Sequence, residues 1–362
     1  MSEQWPDGDA SALVSIVIPC FNGEQYIRSA VRSALRQTHR NIEIIVVDDG
    51  STDGSGAVLE AEFGGALKII RIPNSGPSRA RNVGFDHSRG DFVQFLDADN
   101  VITPEKLERS LGLFAAEPAV DIVWTAIHEP AEYAFEDESQ FSAEDLQKSV
   151  DAMMDRAYEL VLPGTGMLAL ETSQPLFRRS ALETYGRWDE ELRVMEDTEL
   201  VARHALRGAE IRHLPMVGLI YRDHPGERVT RRMRFDNATY FRTVLKMIAT
   251  ARELDRMTGG IEDFTMKFLI WIAALECVRQ RRYETARQYV TLARQIRRRL
   301  PGPALFRAAS AVFGVIPALV AARYLIGAFS TLFPQRSRAL LGVVAGDPDR
   351  RGDSGGGAGS GG

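Results

Sequence analysis

For about the first hundred residues, short apolar runs alternate with stretches whose apolar positions recur at helical spacing. Residues 13–19, Leu-Val-Ser-Ile-Val-Ile-Pro, read as a strand that Pro19 ends, because proline has no N–H to give a ladder. After the turn at 20–23, Tyr26, Ile27, Ala30, Val31, Ala34 and Leu35 mark a helix over 24–37. Residues 42–47 form a second apolar strand running into Asp48-Asp49-Gly50-Ser51-Thr52-Asp53-Gly54, and a helix follows to about Phe63. A strand at 68–72, a loop at 74–78, a helix opening at Ser78 and a strand at 91–96 complete the series. That last strand ends in Asp97-Ala98-Asp99, and Thr103-Pro104 reads as N-cap and first residue of the next helix.

The alternation continues less regularly. Residues 121–126 are a strand, and 129–155 read as an acidic loop and an amphipathic helix on the rim. A flexible loop holds Pro163-Gly164-Thr165-Gly166, and Ser173–Phe177 leads into a helix ending near Tyr185. A helix begins at Glu196-Asp197 and stops at Gly208. Short strands follow at 211–215 and 217–222, then a turn at Asp223-His224-Pro225-Gly226. Beyond about Arg234 only helical patterns remain, over 236–258, 261–279 and 283–299.

Strand and helix in strict succession predict an α/β fold: a mostly parallel central sheet with helices on both faces, followed by an α-helical C-terminal region. The expected organisation is a disordered N-terminus at 1–12, an α/β domain at 13–230, a helical region at 231–335 and a flexible Gly-rich tail at 336–362. With right-handed crossovers, Asp48, Asp49, Asp97 and Asp99 fall on one edge of the sheet, at the carboxyl ends of strands where ligands bind. Carboxylates gathered there are costly to hold together without a cation or a hydrogen-bonding ligand. An Asp-x-Asp pair suits Mg²⁺ or Mn²⁺, which take one or two protein carboxylates when a phosphate supplies the rest.

Charge and cysteine content narrow the classes. A net charge of −5 argues against a nucleic-acid binder relying on basicity. The two cysteines, Cys20 and Cys277, are too far apart for a metal knuckle and form no disulfide framework. The polar start and the lack of an uninterrupted apolar span point to a cytoplasmic chain. No G-x-G-x-x-G follows the first strand, which disfavours a dinucleotide oxidoreductase. Cys20-Phe21-Asn22-Gly23 is no triphosphate loop either, which disfavours a nucleotidyltransferase.

The motifs 14–22, 33–38, 45–53, Ala80-Arg81-Asn82-Val83-Gly84 and Phe95-Leu96-Asp97-Ala98-Asp99, in this order and spacing, resemble family 2 glycosyltransferases of the Rossmann-like GT-A fold. The resemblance continues through 177–180, 186–190 and 196–200 to Tyr221–Gly226, covering roughly residues 13–230. It implies inverting transfer of a sugar from a nucleotide donor, a UDP-sugar the leading choice, to an acceptor hydroxyl in cell-surface polysaccharide, glycolipid or glycoprotein synthesis.

By that resemblance, Pro19 and Phe21 frame and stack on the base, and Asp49 accepts a hydrogen bond from it. Arg81 contacts the nucleotide, Asp97 the ribose or water around the metal, and Asp99 the metal itself, Mn²⁺ or Mg²⁺. His224 reaches the metal or diphosphate. Asp197, after Glu196, is the candidate general base. Gly164 and Gly166 fall in a donor or acceptor loop, and Trp188 in an acceptor wall. Each residue has a plainer reading: Phe21 as a packed turn residue, Asp48 as a helix-start acid, Arg81 as a salt bridge to the aspartates, and Glu196, Asp197 and Glu199 as first-turn acids.

The segment 277–307 is rich in arginine and precedes the apolar stretch 308–322, a pattern suited to peripheral docking on an anionic inner membrane face. Pro317 and Arg323 argue against a span. The alternative is a helical cap on the catalytic domain or on a second subunit of a homo-oligomer. The partners implied are a nucleotide-sugar donor and a carbohydrate, lipid-linked or protein acceptor, with no nucleic acid. The functional alternative is a non-catalytic nucleotide-sugar-binding scaffold of the same fold.

Overall fold

The computed structural model describes residues 9–130, 134–162, 167–168, 170–192, 196–224, 246, 274, 278, 281 and 283–296. The Gly164 and Gly166 loop, the helix expected at 236–258, most of that at 261–279, the apolar stretch 308–322 and the Gly-rich tail lie outside the described residues. The chain divides into two units, Met1–Ile261 and Glu262–Gly362. In the second unit the helix Tyr283–Ile296 buries Ala286, Tyr289 and Val290, which share one face at helical spacing.

The first unit is built on β1 (Val14–Cys20), which pairs in parallel with β2 (Ile42–Asp48) on one side and β4 (Phe92–Phe95) on the other. β3 (Lys68–Arg71) lies parallel outside β2. Side chains alternate across the sheet. Ile16 and Ile18 pack with α1 (Ile27–Leu35) and α2 (Ser55–Phe63), whereas Val17, Ile45 and Val47 pack with α3 (Pro77–Asp86). Burial on both faces is why these strands read as nearly continuous apolar runs. Gly84 lets α3 approach closely: a Cβ there would lie 2.2 Å from Val17 Cγ1.

The eight-stranded sheet has the order β3, β2, β1, β4, then β9 (Pro175–Arg178), β6 (Ile122–His128), β10 (Ile211–Ile220) and β5 (Val101–Ile102). β9 runs antiparallel between β4 and β6. β10 is parallel to β6, and the short β5 is antiparallel to β10. A small hairpin, β7 (Val161–Leu162) and β8 (Met167–Leu168), stands apart from this sheet. α4 (Lys106–Ala116) covers the α1 face, and α6 (Arg179–Tyr185) and α7 (Glu196–Arg207) contribute Leu182 and Leu200 to the α3 face.

Four sequence expectations are corrected. Pro19 does not end β1, which continues to Cys20. Val17 O accepts from Leu96 and Cys20 O from Asp49, so alternate residues face β4 and β2. The N–H that Pro19 lacks therefore points past the end of β4, where no ladder needs it. Thr103 does not cap a helix: its hydroxyl donates to Val217 O at 3.0 Å, and α4 begins at Lys106. The two strands expected around Pro215 are one strand, β10, whose register shifts between Leu214 and Leu219 absorb the proline. The acidic segment 129–155 is not confined to the rim, because Phe135 and Val150 join a cluster with Val101, Ala126, Val217 and Ile220. Its helix, α5, spans Ala143–Leu160.

Candidate active site

The carboxylates at the ends of β2 and β4 are divided among separate partners. Asp48 Oδ1 accepts the Ser51 N–H at 2.9 Å, so this buried residue shapes the turn after β2. Asp49 accepts the N–H of Ser75 at 2.7 Å and of Gly76 at 2.9 Å, one on each oxygen. These bonds draw the loop before α3 onto the sheet edge, with Gly76 at φ 94°. Phe21, from the β1 turn, is 50% exposed, a large aromatic left open at this edge. The turns after β1 and β2 brace each other: Asn22 N–H donates to Ser51 Oγ at 3.1 Å, and Thr52 N–H returns to Asn22 Oδ1 at 2.8 Å.

Arg81 is the buried hub of the site. Its Nη2 donates to Asp97 Oδ1 at 2.8 Å and its Nη1 to Glu196 Oε1 at 3.0 Å, joining the end of β4 to the start of α7. Its guanidinium lies 4.4 Å from the Trp188 ring centroid. Burial works against the cation, but Asp97 and Glu196 outweigh it and hold its pKa above the ordinary arginine value. Burial raises the Asp97 pKa against the pull of Arg81, with Asp99 and Glu196 adding like charge.

Asp99 and His224 meet at the outer end of the site, with Oδ2 and Nε2 3.2 Å apart. His224 is buried and its ring stacks at 4.6 Å on Tyr26. Beneath this pair Arg222 donates through Nε to the Asp99 carbonyl at 2.9 Å and through Nη2 to Ser29 Oγ at 3.2 Å. Its guanidinium is 3.8 Å from the Phe135 ring and 5.1 Å from Tyr26. A carboxylate oxygen beside an imidazole nitrogen fits Mn²⁺ or Mg²⁺ when a diphosphate supplies further oxygens. Among the described residues no group of three His, Cys, Asp or Glu side chains is gathered as a metal cage.

Asp197 lies half-buried in the first turn of α7 and accepts the Thr198 N–H at 2.6 Å. Burial first, and the charge of Glu196 second, push its pKa up to about 7. A carboxyl with that pKa is suited to take and release a proton near neutral pH.

The structure thus brings Arg81, Asp97, Glu196 and Asp197 into one neighbourhood and joins Asp99 to His224. Pro19, Phe21 and Asp49 share the same sheet edge through the β1 and β2 ends. Trp188 is corrected: it is buried, meets Phe95 edge-on at 5.2 Å and underlies Arg81, so it floors the hub rather than forming an open wall. Gly164 and Gly166 are outside the described residues. Arg222 had no role assigned from sequence; its only signal was its place two residues before His224.

Residues 15–186 match the family Glycosyl transferase family 2. Those residues are a glycosyl transferase family 2 domain. An uncharacterized glycosyltransferase of Haemophilus influenzae is 40% identical over 103 residues, 28% of this chain and 41% of that protein. The chain therefore spans under half the length of this relative. Succinoglycan biosynthesis protein ExoO of Rhizobium meliloti is 27% identical over 301 residues, 79% of this chain and 78% of that one. Among solved structures, S. aureus TarS 1–349 in complex with UDP-GlcNAc has a TM-score of 0.53 at 18% identity, over 71% of each chain. Mannosyltransferase PcManGT from Pyrobaculum calidifontis, in complex with GDP-Man and Mn²⁺, has a TM-score of 0.54 at 18% identity, over 94% of this chain and 87% of that one. These likenesses show that the family 2 domain has the GT-A fold. Among the described residues no helix is long and apolar enough to cross a membrane.

Proposed function

We propose that this chain is a metal-dependent inverting glycosyltransferase that moves a sugar from a nucleotide-sugar donor to an acceptor hydroxyl in cell-surface glycan synthesis. The observation that carries the reading is the placement of Asp197, with its raised pKa, beside the Arg81–Asp97–Glu196 group. Phe21 offers its exposed face to the base, and Asp49 accepts a base N–H while holding the Ser75–Gly76 loop. Pro19 shapes the turn that presents Phe21. Arg81 keeps Asp97 turned toward the ribose and diphosphate.

Asp99 and His224 would hold Mn²⁺ or Mg²⁺ with the donor diphosphate. The bound cation supplies positive charge to the departing nucleoside diphosphate. Ionised Asp197 takes the acceptor proton as the acceptor oxygen bonds the anomeric carbon. The bond from that carbon to the diphosphate oxygen breaks on the opposite face, which inverts the anomeric centre.

A UDP-sugar is the leading donor, supported by the TarS complex with UDP-GlcNAc; the PcManGT complex keeps GDP-sugars in the test. The name of ExoO supports a polysaccharide acceptor. The chain is proposed to divide near residue 230 between the transferase domain and a helical region that docks on an anionic membrane face or a second subunit. The test is binding and slow hydrolysis of UDP-, GDP- and dTDP-sugars with Mn²⁺ or Mg²⁺. One donor that binds only with metal supports the reading. Failure of every donor to bind contradicts it, and binding without turnover across an acceptor screen favours a scaffold.

A further inference from the structure

Lys106, the first residue of α4, is 0% exposed. Its Nζ donates to the main-chain oxygen of Ser173, and no acidic side chain is paired with it among the described residues. Burial alone shifts its pKa well below that of an ordinary lysine. A buried amine with one acceptor is less favourable than an apolar side chain of similar length, so packing does not explain a lysine here.

What the amine holds does explain it. Ser173 precedes β9, beside the carboxyl end of β4. Its carbonyl accepts from Gln94 Nε2 at 3.0 Å as well as from Lys106, which fills both lone pairs. Its hydroxyl accepts the Asp97 N–H at 3.0 Å. The bond from Leu96 N–H to Val17 O is the last one recorded between β4 and β1. One residue later, the Asp97 N–H bonds to Ser173 instead. Hydrogen bonds on the Ser173 carbonyl and hydroxyl therefore link α4 to the Asp97 backbone, and neither Lys106 nor Ser173 is itself assigned to donor or acceptor.

We propose that Lys106 is a positioning residue for the diphosphate end of the donor site: through Ser173 it fixes the Asp97 backbone, and with it the directions of the Asp97 and Asp99 carboxylates. The proposal rests on the nucleotide-sugar reading of the same site.

The full chain is compared with Lys106→Met and Ser173→Ala by thermal unfolding, hydrogen exchange at the Asp97 amide, and Mn²⁺-dependent binding of UDP and GDP. Methionine fills the lysine volume without the buried amine, so the unfolding midpoint is expected unchanged or higher. The Asp97 amide is expected to exchange on the order of tenfold faster, with nucleotide affinity weakened by a similar factor. Ser173→Ala, which leaves Lys106 in place, is expected to free the same amide and keeps the proposal testable should Lys106→Met fold poorly. Wild-type protection at Asp97 in a folded Lys106→Met overturns the proposal, as does wild-type protection in Ser173→Ala or faster exchange with unchanged nucleotide affinity. Should wild type bind neither UDP nor GDP, the nucleotide-sugar reading fails, and the Asp97 exchange comparison still decides whether Lys106 holds that strand end.

Discussion

Arg81 Nη2 stands 2.8 Å from Asp97 Oδ1, an ion pair in which the arginine is buried and the aspartate is partly buried. The same guanidinium reaches Glu196 at 3.0 Å. Arg81→Leu removes the only cation between these carboxylates among the described residues, so they must be protonated or move apart. Unfolding by denaturant is expected to show a loss of roughly 3 kcal/mol, together with loss of nucleotide binding. Arg81→Lys keeps the charge but not the two-pronged geometry, and is expected to restore stability more than binding.

Phe21 separates binding from stability in the other direction. Half exposed, it contributes little to the core. Phe21→Ala is expected to leave the unfolding midpoint nearly unchanged and to weaken nucleotide binding by about 1–3 kcal/mol, the range for a base stacked on an aromatic ring. Calorimetry with UDP and GDP measures the second quantity, and Phe21→Tyr should retain most of the affinity.

The raised pKa of Asp197 gives opposite pH trends for stability and activity. Its pKa is about 7 in the fold against 3.8 for an ordinary aspartate, so folding favours the neutral form. That contribution is fully present below about pH 4 and is lost as pH rises through about 7. Relative to Asp197→Asn, wild type is therefore expected to lose thermal stability between about pH 4 and about pH 7. Activity needs the ionised base, so wild-type kcat/KM is expected to fall about tenfold per pH unit below about 7. A wild-type profile flat down to about pH 5 would count against Asp197 as the base.

The proposed metal dependence rests on Asp99 and His224. Removing divalent cations with a chelator is expected to abolish turnover, and Mn²⁺ or Mg²⁺ to restore it. His224→Ala is expected to raise the Mn²⁺ concentration needed for half-maximal activity by about 10–100-fold, the scale for losing a group that supports a metal site. Asp99→Ala should not be restored at any Mn²⁺ concentration. Metal titrations of both variants test this.

How much of this was legible in the sequence depends on where each signal lies. β1, β2 and β4 are apolar on both faces, so their runs are conspicuous, and the carboxylates at their ends follow from parallel topology. β9 is four residues long, and nothing in Pro-Leu-Phe-Arg says that it runs antiparallel between two parallel strands. Thr103-Pro104 has the pattern of a helix start, but tertiary structure gave the threonine hydroxyl to β10. The acidic edge suggested mutual repulsion awaiting a ligand. The fold instead settles Asp48 and Asp49 on backbone amides, bonds that no spacing rule reports, and Asp97 on Arg81, the salt bridge that the sequence offered as the plainer reading of that arginine. Lys106 was invisible for the opposite reason, since a lysine at a helix start reads as a solvated residue.

The most direct test of the account compares the intact chain with Asp197→Asn, using the donor that binds wild type, with Mn²⁺ present. Donor affinity and metal-dependent donor consumption are both measured. The account predicts affinity within about threefold of wild type and consumption lowered by at least about a hundredfold. A variant that consumes donor at the wild-type rate would contradict the assignment of Asp197 as the base on which the proposed transfer depends.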